Sequence, residues 1–204
     1  MKKFKFKLAA VLAFAMAFAS SASAQGVYFD IGLGFGSGST KIDGNNVFNE
    51  LNSYSSVEEL ELDLTIFKLG YGPFDNTSIY AVLELSGMGH RIYDDSDYIQ
   101  FNSYLFGPGV IFYPIPLIQL GASLGYSWVT NQTNLPMTMY ESDGGFAYNI
   151  SAAVDFGGGN HGCLIGLKYF SATSELKTSK VDQNSSMISF FIKYAYRHKV
   201  ASLE

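Results

Sequence analysis

The chain has 204 residues and a formal net charge of −5; 48% of its residues are hydrophobic, 16% are aromatic and only 15% are charged. This composition excludes intrinsic disorder, because disordered chains combine low hydrophobicity with high charge. The single cysteine excludes a disulfide framework, and an acidic chain without a basic cluster excludes a nucleic-acid partner.

The first predicted element is a secretory signal peptide. Lysines precede a charge-free run from Leu8 to Ala19, and Ala22-Ser23-Ala24 supplies the small residues that signal peptidase recognises. The run is too short for an N-terminal membrane anchor, because a spanning helix needs about 20 apolar residues. The sequence therefore predicts a signal peptide at 1–24, a barrel domain at 25–197 and a C-terminal tail at 198–204.

From residue 27 onward, apolar and polar residues alternate with a period of two, as they do in β-strands. The alternation is clearest over Val27–Phe35, 59–66, 118–128, 146–156 and 188–196, and it is less regular over 79–87, 99–113 and 165–171. A tilted membrane strand needs about 9–11 residues. These segments therefore predict eight strands.

The predicted connections alternate in length. Short ones lie at 72–76, 114–116 and 157–160, and long polar ones lie at 37–57, 89–98, 130–144 and 172–185. Bacterial outer-membrane barrels have short periplasmic turns and longer outer loops. The lengths thus favour an up-and-down arrangement in which every connection falls on its expected side.

A soluble β-sandwich or a lipocalin-like barrel would also show alternation, with the apolar face inside. Three features favour the membrane: unbroken apolar faces, opposite faces rich in glycine and serine, and aromatic residues near strand ends, where interfacial girdles lie. The predicted fold class is all-β: an eight-stranded antiparallel up-and-down transmembrane β-barrel that follows a cleaved signal peptide.

This architecture resembles the small outer-membrane barrels of the OmpA, OmpX and OmpW type. The last strand, Ile188–Tyr196, is similar to the C-terminal strand that the barrel-assembly machinery recognises, although Arg197–Glu204 follow it. The resemblance implies the outer membrane of a diderm bacterium. It also implies outer-membrane lipid, lipopolysaccharide, the assembly machinery and periplasmic chaperones as partners.

If the apolar faces meet lipid, the opposite faces place charges in the lumen. The predicted lumen charge network consists of Asp30, Glu61, Asp63, Glu84, Lys168 and Lys193. The interior of an eight-stranded barrel is just wide enough to be filled by side chains. An ion-paired plug is therefore favoured over a narrow cation-selective pore, although acids outnumber lysines on these faces.

The predicted role is structural, or the binding of a ligand at the cell surface through the outer loops. Tyr93, Asp94, Asp95 and Tyr98 are the candidate contacts for a host or envelope ligand. The alternative is a narrow pore, or a channel of the OmpW type for small or hydrophobic solutes.

An enzyme is not expected. Membrane-barrel acyl hydrolases and transferases use a histidine with a serine and a carboxylate. His90 has Asp95 and Ser96 near it in sequence, but a solvated loop is the favoured interpretation of this segment. No catalytic residue, metal ligand set or cofactor is predicted.

Overall fold

The computed structural model describes residues 26–72, 79–136, 141–157 and 160–197. The predicted signal peptide and tail lie outside the described residues, as do parts of two predicted inner turns. The elements are β1 (Val27–Ile42), β2 (Asn45–Asn46), α1 (Val47–Asn52), β3 (Glu58–Tyr71), β4 (Ile79–Asp94), β5 (Asp97–Ile115), β6 (Ile118–Thr133), β7 (Ser142–Asp155), β8 (His161–Leu176) and β9 (Asp182–Arg197). No helix among these residues has the length and hydropathy to cross a membrane.

The eight long strands form a closed antiparallel barrel. Each pairs with its neighbour in sequence, and β1 closes the ring by pairing with β9 from Tyr28↔Arg197 to Ile42↔Gln183. The two-residue strand β2 pairs with the end of β1 and lies, with α1, in the first outer connection. The predicted eight-stranded up-and-down barrel is therefore confirmed.

The two faces of the barrel wall differ as the alternation predicts. Large apolar side chains on the outer face are strongly exposed: Leu33, Leu62, Leu124, Leu167 and Ile188 are all between 51% and 60% exposed. Neighbouring side chains on the inner face, such as Asp63, Ser123, Lys168 and Ser189, are buried. An apolar belt of this kind is unfavourable in water and matches the hydrocarbon region of a bilayer.

The alternation of β3 is interrupted by a β-bulge at Ile66. On the β1 side, the register passes from Asp30↔Lys68 to Gly32↔Thr65, so that β3 contains one more residue than its partner. The register with β4 shifts at the same place. Because of the extra residue, each later side chain of β3 lies on the opposite face of the wall from the one that regular alternation would give it. Thr65 and Lys68 therefore both point into the barrel.

The strands extend further outward than predicted. The predicted loop at 89–98 is wrong, because β4 continues to Asp94, β5 begins at Asp97, and Asp95-Ser96 forms the turn between them with Asp95 at a φ of +49°. The other outer connections also shrink, to 43–57, 134–141 and 177–181. Beyond the bilayer neither face of a strand has to be apolar, so polar segments can pair without the alternation that marks the membrane-spanning part.

Candidate functional site

Six buried charged side chains form a layer across the middle of the lumen. This middle layer consists of Asp30, Asp63, Lys68, Glu84, Lys168 and Lys193. The Nζ atom of Lys68 lies 3.1 Å from Oε2 of Glu84. The other carboxylate oxygen of Glu84 accepts a hydrogen bond of 2.9 Å from Nδ2 of Asn149, on the opposite wall.

The rest of the middle layer repeats this pattern. Lys168 pairs with Asp63, whose second oxygen accepts a hydrogen bond of 3.1 Å from Oγ of Ser189. The Nζ atom of Lys193 lies 3.8 Å from Oδ1 of Asp30. Each carboxylate thus has a lysine partner, which offsets part of the desolvation cost of a buried charge.

A second layer of polar contacts closes the periplasmic end. Nε2 of Gln119 donates to the hydroxyl groups of Tyr28 and Tyr113, at 2.8 and 2.7 Å. The Tyr113 hydroxyl donates to Asp155 at 3.2 Å, and Asp155 also pairs with Arg197. Since these five residues come from five different strands, the contacts connect the wall across the lumen.

A third group lies near the outer end of the lumen. Nε2 of His90 lies 3.0 Å from Oε2 of Glu59 and 3.9 Å from Oε1 of Glu61, and Nδ1 of His90 lies 3.2 Å from Oγ1 of Thr40. His90 and Thr40 are fully buried, whereas the Glu59 side chain is 37% exposed. The expectation of a solvated loop at His90 is wrong, because β4 continues past it and directs its ring inward.

The structure separates one predicted network residue from the others. Asp30, Asp63, Glu84, Lys168 and Lys193 lie together in the middle layer, whereas Glu61 lies with His90 near the outer end. The alternation did not include Lys68, because the bulge at Ile66 reverses its facing. Continuing the even-numbered inner face of β4 as far as His90 would have placed that ring in the lumen.

The predicted outer-loop residues lie on a hairpin. Tyr93 and Tyr98 face each other across the β4–β5 ladder, and Asp94 and Asp95 lie at its end. The Arg91 guanidinium lies 4.2 Å from the centre of the Tyr98 ring, a cation–π distance. The Tyr98 backbone N–H donates to Oδ1 of Asn134 at 2.7 Å, which joins the hairpin to the connection after β6.

Exposed ion pairs join two further outer connections. The Nζ atom of Lys177 donates to Glu141 at 2.6 Å, and Lys180 donates to Asp143 at 2.6 Å and to Glu175 at 3.2 Å. The hydrogen bond and charge of Lys177 hold the pKa of the Glu141 carboxyl below its usual value. The same contacts raise the pKa of the Lys177 and Lys180 amino groups.

The chain resembles known proteins in its fold and not in its sequence. No protein-family model matches it, and no curated protein matches it. Ail, the attachment invasion locus protein of Yersinia pestis, in complex with the heparin analogue sucrose octasulfate, aligns at 13% identity and a TM-score of 0.51, covering 85% of this chain and 100% of Ail. OprG from Pseudomonas aeruginosa aligns at 10% identity and a TM-score of 0.49, covering 87% of this chain and 98% of OprG. Neisserial surface protein A aligns at 11% identity and a TM-score of 0.49, covering 82% of this chain and 95% of that protein.

The likeness to Ail concerns the fold, since so few residues are identical. It confirms the architectural resemblance to small outer-membrane barrels that the sequence suggested. The exposed apolar belt supports the same assignment on physical grounds. The chain thus has the fold of a small transmembrane β-barrel of the bacterial outer membrane.

Proposed function

We propose that this protein is a non-conducting, non-enzymatic barrel that anchors an interaction surface in the outer membrane. In this proposal residues 25–197 form the mature barrel domain, and the outer end of the barrel binds the ligand. The observation that carries the proposal is the stack of two polar layers, which connect opposite walls at mid-lumen and at the periplasmic end.

The cross-lumen contacts support a plugged interior. Asn149 on β7 reaches Glu84 on β4, Lys168 on β8 reaches Asp63 on β3, and Gln119 reaches Tyr28 at the periplasmic end. A hydrated ion could pass only if these contacts opened, because an eight-stranded lumen has little width beyond its own side chains. Opening them would leave buried charges unpaired, which is strongly unfavourable.

The charge of the outer end suggests the chemistry of the ligand. We define the outer rim as residues 41–59, 91–98, 134–136, 141–143 and 175–182; it contains eleven acidic residues and four basic ones. Such a rim repels polyanions and attracts cationic groups. Although Ail was solved with a sulfated sugar, we propose a cationic ligand for this chain, or lipopolysaccharide bridged by divalent cations.

A narrow pore is the second candidate. The amino groups of Lys68, Lys168 and Lys193 make ion pairs but have no hydrogen bond of good geometry among the described residues. Each amino group carries three donors, so water inside the lumen would satisfy them. A hydrated lumen favours a conducting path for ions, whereas a dry plug would block one.

Single-channel recording separates the two candidates. The protein, purified from membranes, is inserted into a planar bilayer, with insertion verified by the difference in gel mobility between heated and unheated samples. We expect silence from the wild type and discrete conductance from Lys168→Ala/Lys193→Ala, which empties part of the middle layer. Steady wild-type conductance would refute the plug and make transport the leading function.

Binding at the rim is tested with ligands of opposite charge. Vesicles carrying the protein are titrated with an oligolysine peptide and with heparin, and Asp94→Asn/Asp95→Asn/Asp97→Asn is compared with the wild type. We expect salt-sensitive binding of the peptide, weakened in the triple variant, and no binding of heparin. Preferential binding of heparin would contradict the proposed ligand chemistry.

A further inference from the structure

The group near the outer end of the lumen has a chemistry that neither polar layer shares. Among the buried charged side chains, four acids each pair with a lysine or an arginine: Asp30, Asp63, Glu84 and Asp155. Glu61 is also buried, at 5% exposure, but among the described residues its ion-pair partner is the ring of His90. Glu59 adds a second carboxylate to the same ring. Two carboxylates thus share one imidazole ring, and no lysine or arginine of the described residues forms an ion pair with either of them.

We propose that Glu59, Glu61 and His90 form a binding site for a divalent transition-metal ion such as Zn²⁺. One ligand atom from each residue, two carboxylate oxygens and an imidazole nitrogen, lies within 4.8 Å of the other two. Two ligand atoms on a tetrahedral ion with bonds of about 2.1 Å lie about 3.4 Å apart. The distances of 3.0 and 3.9 Å from Nε2 of His90 to the two carboxylates lie on either side of that value.

The Oε1 atom of Glu61 is an independent indication of a ligand. It is buried and has no hydrogen-bond partner in the described part of the chain, and it points at His90. A buried acceptor left in this state is costly. A cation between Glu61 and His90 would satisfy this oxygen and balance the charge of both carboxylates.

The strands hold these ligands in place. Glu59 and Glu61 are two residues apart on β3 and share its inner face, and Glu61 lies opposite His90 in the β3–β4 ladder. Thr40, on β1, lies beside the other ring nitrogen of His90. When Nδ1 donates its proton to Thr40, Nε2 keeps its lone pair for the metal, an arrangement typical of histidine ligands. The partly exposed Glu59 side chain leaves an approach from outside.

The test is direct titration with zinc. The protein is purified from membranes in detergent, freed of metal with a chelator and titrated with Zn²⁺ by calorimetry. A separate metal-free sample is titrated with Co²⁺, whose visible absorption reports the ligands. We expect one Zn²⁺ per chain and a Co²⁺ spectrum that changes in His90→Gln. Glu61→Gln and Glu59→Gln should weaken binding, and Thr40→Val should weaken it about 10-fold or more because it releases the ring.

Two matched controls make the result specific. His161→Gln removes an exposed histidine near the periplasmic end, and Glu50→Gln removes an acid on α1; both should bind Zn²⁺ as the wild type does. Gel mobility of unheated samples verifies that each variant is folded. Glu59→Gln is the variant least able to disturb folding, because its side chain is partly exposed. Unchanged affinity in folded Glu59→Gln and His90→Gln, or equal loss in the controls, would overturn the proposal.

Discussion

Lys68 and Glu84 form an ion pair of 3.1 Å in which neither side chain is exposed to solvent. They face each other across the β3–β4 ladder, and the bulge at Ile66 is what turns Lys68 inward. The pair therefore depends on one irregular residue in an otherwise regular strand.

Breaking this pair should be costly. Lys68→Met leaves Glu84 charged and without its lysine, and we expect a loss of about 3–5 kcal/mol in the free energy of unfolding. Urea titration in lipid vesicles, followed by fluorescence of Trp128, the single tryptophan, measures this loss. The double variant Lys68→Met/Glu84→Gln should recover part of it. A loss no larger than that of Lys177→Met, at an exposed pair, would contradict the assigned burial.

The bulge at Ile66 predicts that β3 tolerates the loss of one residue. Deleting Ile66 should be tolerated, because Thr65 and Lys68 would then be separated by one residue and regular alternation would keep both inside. Deleting Leu83 from the regular strand β4 should instead block folding, because one half of that strand would turn its polar face to lipid. Refolding yields from gel mobility compare the two variants. Equal yields would show that the bulge does not set the facing of β3.

The lipid face can be mapped with arginine. Leu124→Arg, near the middle of β6, should cost about 2–4 kcal/mol, whereas Ser123→Ala on the inner face removes one small polar group from the lumen and should cost less. Leu62→Arg should cost less than Leu124→Arg, because Leu62 lies closer to the outer interface and the cost falls with distance from the midplane. Unfolding titrations in vesicles give both values. A larger cost for Leu62→Arg than for Leu124→Arg would show that Leu62 lies nearer the midplane of the bilayer, and that the assigned depth of the barrel is wrong.

The outer connections should loosen in acid. Because Lys177 holds the pKa of Glu141 below its ordinary value of 4.5, their contact contributes fully above that value and is lost as the pH falls through the lowered pKa. Hydrogen exchange at 177–181 should therefore accelerate as the pH falls through the lowered pKa of Glu141, and the rate should depend on salt. The Lys177→Gln variant should exchange rapidly at neutral pH too. A wild-type rate that follows only the intrinsic pH dependence would argue against a role for this pair.

The amino-acid sequence predicts most of the membrane-spanning part, because lipid on one side and side chains on the other impose strict alternation. Leu62, Leu124 and Ile188 are exposed on the outer face as that rule requires. Where the environment changes, the rule weakens. Above the bilayer both faces of a strand can be polar, so β4 and β5 extend as far as Asp94 and Asp97, into the segment for which alternation had predicted a loop.

The charged interior was only partly predictable, for a different reason. Alternation assigns each side chain of a strand to the inner or the outer face from its position alone. One inserted residue reverses this assignment for every later residue of the strand, so the face on which Lys68 lies cannot be predicted without knowledge of the bulge. Which acid meets which base depends on register across the lumen. Asp63 and Lys168 are on different walls, and no local pattern connects them.

The long seam between β1 and β9 has a consequence for biogenesis. The ladder from Tyr28↔Arg197 to Ile42↔Gln183 joins the first strand of the barrel to the last. Until the sixteen residues of β9 pair with β1, the sheet has two open edges that can pair with other chains. A chain truncated before Asp182 cannot form this seam, so we expect it to be degraded or to aggregate rather than to persist as a smaller barrel.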